Sequence, residues 1–121
     1  MDKPLILIVD DEQLIRQTIR KSLGTDYQFL EATNGSTAVE LAIQHKPNLI
    51  LLDILMPVMD GYQACVVLKG NEITKRIPLL MLTALDMELN RKLASNFGAD
   101  GYITKPFDIK SFKATIIQFL K

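Results

Sequence analysis

The chain has 121 residues, 48% hydrophobic and 23% charged, with a formal net charge of zero. This length suits a single domain, 1–121, with a buried core. The neutral balance removes the electrostatic case for gripping nucleic acid or an anionic membrane. One cysteine, Cys65, excludes an intrachain disulfide; with no signal peptide and no apolar run long enough to span a bilayer, the expected setting is the reducing cytoplasm.

The first apolar run, 5–9, has strand length and stops on three acids, Asp10, Asp11 and Glu12. Ile15, Ile19 and Leu23 follow on one face of a helix. Leu14 lies roughly 140° from the centre of that stripe at ~100° per residue, so it is expected to face solvent. A second run, 27–30, ends blandly on Glu31-Ala32. Asn34-Gly35 opens a second helix, with Asn34 as N-cap and Ala38, Leu41 and Ala42 facing inward. His45 reads as a residue of that helix's end.

The third run, 49–52, is continuously apolar, as expected of a strand buried on both faces, and it stops on Asp53. Tyr62, Val66 and Lys69, with Cys65 beside them, are expected on one face of a third helix. The fourth run, 79–82, ends on Thr83-Ala84, and Leu89, Leu93 and Phe97 mark a short fourth helix that should stop at Gly98. The fifth run, 101–104, ends on Lys105-Pro106. Asp108 then caps a last helix that carries Ile109, Phe112, Ile116 and Phe119. Pro47 and Pro78 stand just before strands, where a missing N–H does least harm.

Strands alternating with helices predict an α/β fold: a doubly wound five-stranded parallel sheet of order 2-1-3-4-5, flavodoxin-like, with helices on both faces. The C-terminal strand ends then share one rim, where ligands bind in such sheets. Asp10, Asp11, Asp53, Thr83 and Lys105 converge there from distant parts of the chain. Carboxylates that close repel one another unless a cation lies between them. Oxygen donors without His or Cys suit Mg²⁺. A divalent ion, a lysine and a hydroxyl around one aspartate make a phosphoryl site, with Asp53 as nucleophile and an acyl phosphate as product.

The segments LIVDDE (7–12), LLDILMPVMDG (51–61), MLTAL (81–85) and GADGYITKPFD (98–108) together resemble the receiver domain of bacterial response regulators over the whole chain. The resemblance implies that Asp53 is the phosphoacceptor. It makes Asp11 a direct ligand of Mg²⁺ (or Mn²⁺), Asp10 a ligand through water, and the Leu55 backbone carbonyl a further ligand. Thr83 would be the switch hydroxyl, Lys105 the partner of a phosphoryl oxygen, and Tyr102 the switch aromatic. The Lys105–Pro106 bond would be cis. A sensor histidine kinase or histidine phosphotransfer protein would dock near Leu14, Ile15, Pro106 and Phe107. A downstream effector or a homodimer would use the region of the fourth and fifth helices.

Two residues depart informatively. Leu55 and Leu85 stand two after Asp53 and Thr83, where polar side chains help orient an attacking water in some members. Two leucines predict slow hydrolysis of the phosphoaspartate. Leu55 also argues against the rival reading, an aspartate-nucleophile phosphatase, which needs a carboxylate at that place to act on an external substrate. A receiver-like interaction module that is never phosphorylated would lack an acid or the lysine, and none is missing. No glycine-rich phosphate loop supports nucleotide binding.

Overall fold

The alternation seen in the sequence produces, in the computed structural model, β1 (Leu5–Val9), α1 (Gln13–Leu23), β2 (Gln28–Ala32), α2 (Gly35–His45), β3 (Leu49–Asp53), α3 (Gly61–Gly70), β4 (Leu79–Ala84), β5 (Gly101–Lys105) and a last helix, α4 (Ile109–Leu120). The structure describes residues 3–54, 56, 58–84, 98–105 and 108–120, with Thr83 and Ala84 described by their backbone alone. The expected fourth helix, with Leu89, Leu93 and Phe97, lies outside the described residues, as do Leu55, Leu85, Pro106 and Phe107.

All five strands are parallel, in the order β2-β1-β3-β4-β5. Side chains alternate along each strand, so the sheet feeds two cores. Leu7, Val9, Ile50, Leu52, Leu79 and Met81 face α2 and α3, meeting Ala38, Ala42, Ala64, Cys65 and Leu68. Ile6, Ile8, Leu49, Leu51, Leu80 and Leu82 face α1 and α4, meeting Ile19, Leu23, Phe112 and Ile116. Each such Leu or Ile contributes about 1.5–3 kcal/mol by leaving water. β3 sits between β1 and β4, and Leu49 to Leu52 are fully buried.

The caps are as the turn residues suggest. Asn34 Oδ1 accepts from the Thr37 N–H at 2.9 Å, and Asp108 Oδ2 accepts from the Ser111 N–H at 3.1 Å. Asp60, unforeseen, caps α3 in a reciprocal pair with Gln63 (2.9 and 3.1 Å).

Two expectations are corrected. The inner stripe of α3 is Ala64, Cys65 and Leu68, while Val66 is 49% exposed. Helical spacing gives two plausible stripes there, and the one with smaller side chains fits the close approach to the sheet. Ile109 is likewise exposed, because the contacts of α4 with the core begin at Phe112. Strand ends also run further than apolar character suggests: β3 includes Asp53, β4 reaches Ala84, β5 reaches Lys105, and β2 is shifted to Gln28–Ala32.

Candidate functional site at the strand rim

Asp10 follows β1 directly and is completely buried. Its N–H donates to the Ala32 carbonyl at 3.1 Å, extending the contact with β2 past the last paired strand residue. Its Oδ1 accepts from the Glu12 N–H at 2.9 Å, a tight turn that delivers the chain to α1. Its Oδ2 accepts from Lys105 Nζ at 2.9 Å. One carboxylate oxygen from each of Asp10, Asp11 and Glu12 lies within 4.8 Å of the others; Asp11 and Glu12 are exposed.

Asp53 ends β3, and its side chain is 10% exposed. Its Oδ1 accepts from the same Lys105 ammonium at 3.1 Å. One cation thus joins two buried carboxylates, from residues 95 and 52 positions away. Burial pushes the Asp53 carboxyl up to about 6. The charge of Asp10 adds to the rise, against the pull of Lys105 and the Ile54 N–H. Burial disfavours the Lys105 ammonium, but its hydrogen bond to Asp10 and the two negative charges outweigh that and hold its pKa above the ordinary value.

The donor chemistry fits a hard divalent cation. The cluster offers carboxylate oxygens alone, close enough together to gain from a positive charge. Asp10, Asp11 and Glu12 are the carboxylates that lie close enough together to share it.

The connection after β3 is shaped around this corner. The Gly61 N–H donates to the Ile54 carbonyl at 2.8 Å, folding the chain back beneath Asp53. Val58, 83% exposed, holds a left-handed backbone with φ of 69°.

Thr83 pairs with Thr104 one register step beyond the Asp53–Leu82 pair, so its backbone stands at the rim. Tyr102 lies on β5, 41% exposed, and lines a cleft of about 300 Å³ with Ser111 and Thr115. Leu14 is 71% exposed, as its position off the stripe implies, whereas Ile15 packs partly against the α1-side core.

Sequence reading passed over Glu31. Far from bland, it accepts from Arg16 Nε at 2.8 Å and from Arg20 Nη1 at 2.5 Å. Burial pushes its carboxyl up, but the two guanidinium hydrogen bonds and charges more than offset this and hold it below the ordinary value. Arg16 Nη1 also donates to the Asp10 carbonyl at 2.8 Å. The i, i+4 spacing of Arg16 and Arg20 was a visible signal of a common acidic partner.

Residues 6–117 match the model of the response regulator receiver domain family. The chain is 42% identical over 117 residues to the phosphate regulon transcriptional regulatory protein PhoB of Pseudomonas aeruginosa, covering 96% of this chain and 51% of that one. It is 39% identical over 120 residues to a histidine kinase of Formosa agariphila, covering 99% of this chain and 9% of the kinase. The chain thus spans about half the length of the regulator and a small part of the kinase. Among solved structures, the receiver domain of a Pseudomonas aeruginosa sensor histidine kinase superposes with a TM-score of 0.90 at 27% identity, covering 98% of each chain; it holds a magnesium ion in its active site cleft.

Proposed function

Because the chain belongs to the receiver domains of response regulators, phosphorylation-dependent switches in phosphorelay signalling, we propose that Asp53 is its phosphoacceptor. The observation that carries this reading is the Lys105 ammonium held between the Asp53 and Asp10 carboxylates. Two buried acids and a cation gathered from the ends of three strands are a poor arrangement for stability alone, since desolvating them offsets much of their attraction.

An Asp53 oxygen attacks the phosphorus of a phosphohistidine on a sensor kinase or phosphotransfer protein. The O–P bond forms as the P–N bond breaks, and the imidazole leaves with the electron pair. Although its pKa is raised, Asp53 is mostly ionised at neutral pH and so keeps its lone pair available. Lys105, already bonded to Asp53, stays with the negative charge as it spreads onto a phosphoryl oxygen. When bound by Asp10, Asp11, Asp53 and the Leu55 carbonyl, Mg²⁺ or Mn²⁺ supplies charge neutralisation at the phosphoryl oxygens.

The Thr83 hydroxyl and the Tyr102 ring answer the new charge and bias a two-state surface in the region of β5 and α4. A downstream effector, or a second copy, reads that surface. The donor docks over Leu14, Ile15, Pro106 and Phe107. The domain catalyses only its own phosphorylation and dephosphorylation, in the cytoplasm, with no membrane or nucleic-acid contact of its own.

Intact mass after treatment with acetyl phosphate tests this. The wild type gains one phosphoryl mass with Mg²⁺ and none with chelator, and Asp53→Ala gains none. The same gain on Asp53→Ala refutes the assignment.

A further inference from the structure

We propose that Arg16 is a positioning residue for the acid cluster, with Glu31 as its anchor, and that the pair sets the affinity of the rim for a divalent cation. The inference rests on the phosphoacceptor reading above and extends it to two residues outside the carboxylate–lysine set.

The geometry goes beyond a helix-to-strand ion pair. Arg16 is only 13% exposed. Its Nε is bonded to Glu31, and its Nη1 is bonded to the main-chain carbonyl of Asp10, both at 2.8 Å. A planar guanidinium fixes the directions of the two bonds relative to each other, which a lysine ammonium cannot do. Glu31 is itself held, because its second oxygen accepts from Arg20.

The carbonyl that Arg16 grips shares a rigid peptide plane with the N–H and Cα of Asp11. The N–H of Asp10 is fixed by Ala32, the β2 neighbour of Glu31, and its carboxylate is fixed by Glu12 and Lys105. The orientation of the next peptide plane is what these contacts leave unset. Arg16 sets it, and with it the direction in which the exposed Asp11 leaves the main chain. Groups bonded directly to a metal-ligating side chain typically change affinity 10- to 100-fold when removed; Arg16 acts one peptide plane further away, so an effect at the lower end of that range is expected.

The test is a MgCl2 titration of ¹⁵N-labelled protein followed by amide shifts around residues 10–13, with urea midpoints measured in parallel. Arg16→Met keeps the stem and loses the donors; its Mg²⁺ Kd is expected to rise roughly tenfold. Arg16→Lys falls between, and Glu31→Gln, which removes the charge and one of the two acceptor oxygens and so loosens Arg16, shifts the Kd in the same direction by less. Lys69→Met is the stability control. Lys69 Nζ donates to the Ile77 carbonyl at 2.8 Å and to Asp100 at 2.6 Å, before the start of β4 and away from the rim, so its loss lowers the midpoint and leaves the Kd alone.

An unchanged Kd in Arg16→Met and Glu31→Gln overturns the inference while the phosphoacceptor reading stands. An equal rise in Lys69→Met overturns it too, because the effect is then one of stability. A wild type with no saturable Mg²⁺ response overturns both. If Arg16→Met does not fold, Glu31→Gln and Arg16→Lys decide.

Discussion

Gly61 lies flat against the main chain of Asp53. A methyl on its Cα would overlap the Asp53 carbonyl oxygen and stand 2.7 Å from the Ile54 Cα. Both obstacles are backbone, so neither can turn aside. Gly61→Ala is therefore expected to destabilise by about 2 kcal/mol or more and to slow phosphorylation by tilting Asp53. Gly70→Ala is the matched control. It meets open space at the end of α3 and should be neutral or stabilise by about 0.5 kcal/mol. Urea midpoints and acetyl phosphate labelling rates check both.

Asp53 makes the stability of the metal-free protein depend on pH. Its folded pKa, about 6, lies above the ordinary carboxylate value of 3.8, so the folded state binds the proton more tightly than the unfolded chain. That contribution is fully present below about pH 4 and is lost as pH rises through 6. In chelator, Asp53→Asn should exceed the wild type at pH 7.5 by about 1–3 kcal/mol, less whatever its bond to Lys105 contributes. The difference should vanish near pH 4. Added Mg²⁺ should stabilise the wild type and not the variant. Equal pH profiles for the two proteins would show that burial of Asp53 carries no penalty.

Leu55 and Leu85 should protect the phosphoaspartate by keeping water unoriented. Replacing them together, Leu55→Asn with Leu85→Glu, is expected to speed autodephosphorylation roughly tenfold, a fraction of what a fully positioned base supplies. The decay of the phosphorylated mass after removal of acetyl phosphate measures it; an unchanged half-life removes the leucines from the account.

Val58 holds a left-handed backbone that a β-branched residue adopts at a cost of roughly 1–2 kcal/mol, with its side chain in water. Val58→Gly should recover about 1 kcal/mol in urea unfolding. A loss of stability would place Val58 in a contact that matters more than its backbone.

Much of the architecture was legible because one physical rule governed it. Strands buried on both faces read as unbroken apolar runs, and the acids, hydroxyl and ammonium of the rim interrupt those runs at their ends. The same interruption explains the errors in length. Asp53, Thr83 and Lys105 are polar, so composition excludes them from strands, yet their backbones complete the pairs Asp53–Leu82, Thr83–Thr104 and Ala84–Lys105. For β2 the register of the central β1 decides, matching Leu5 with Gln28 and Val9 with Ala32. The face of α3 was misread because periodicity fixes the spacing of a stripe but not which stripe turns inward. Glu31 was missed because its role belongs to two arginines on another element.

The middle strand has one more consequence. Both ladders of β3 are in place, and Leu49 to Leu52 have no exposed surface, so the segment that carries Asp53 has no room to recoil. The two ladders tie its backbone to β1 on one side and to β4 on the other. The amides of Ile50, Leu51 and Leu52 should accordingly be among the slowest to exchange with deuterium, with or without a phosphoryl group on the protein.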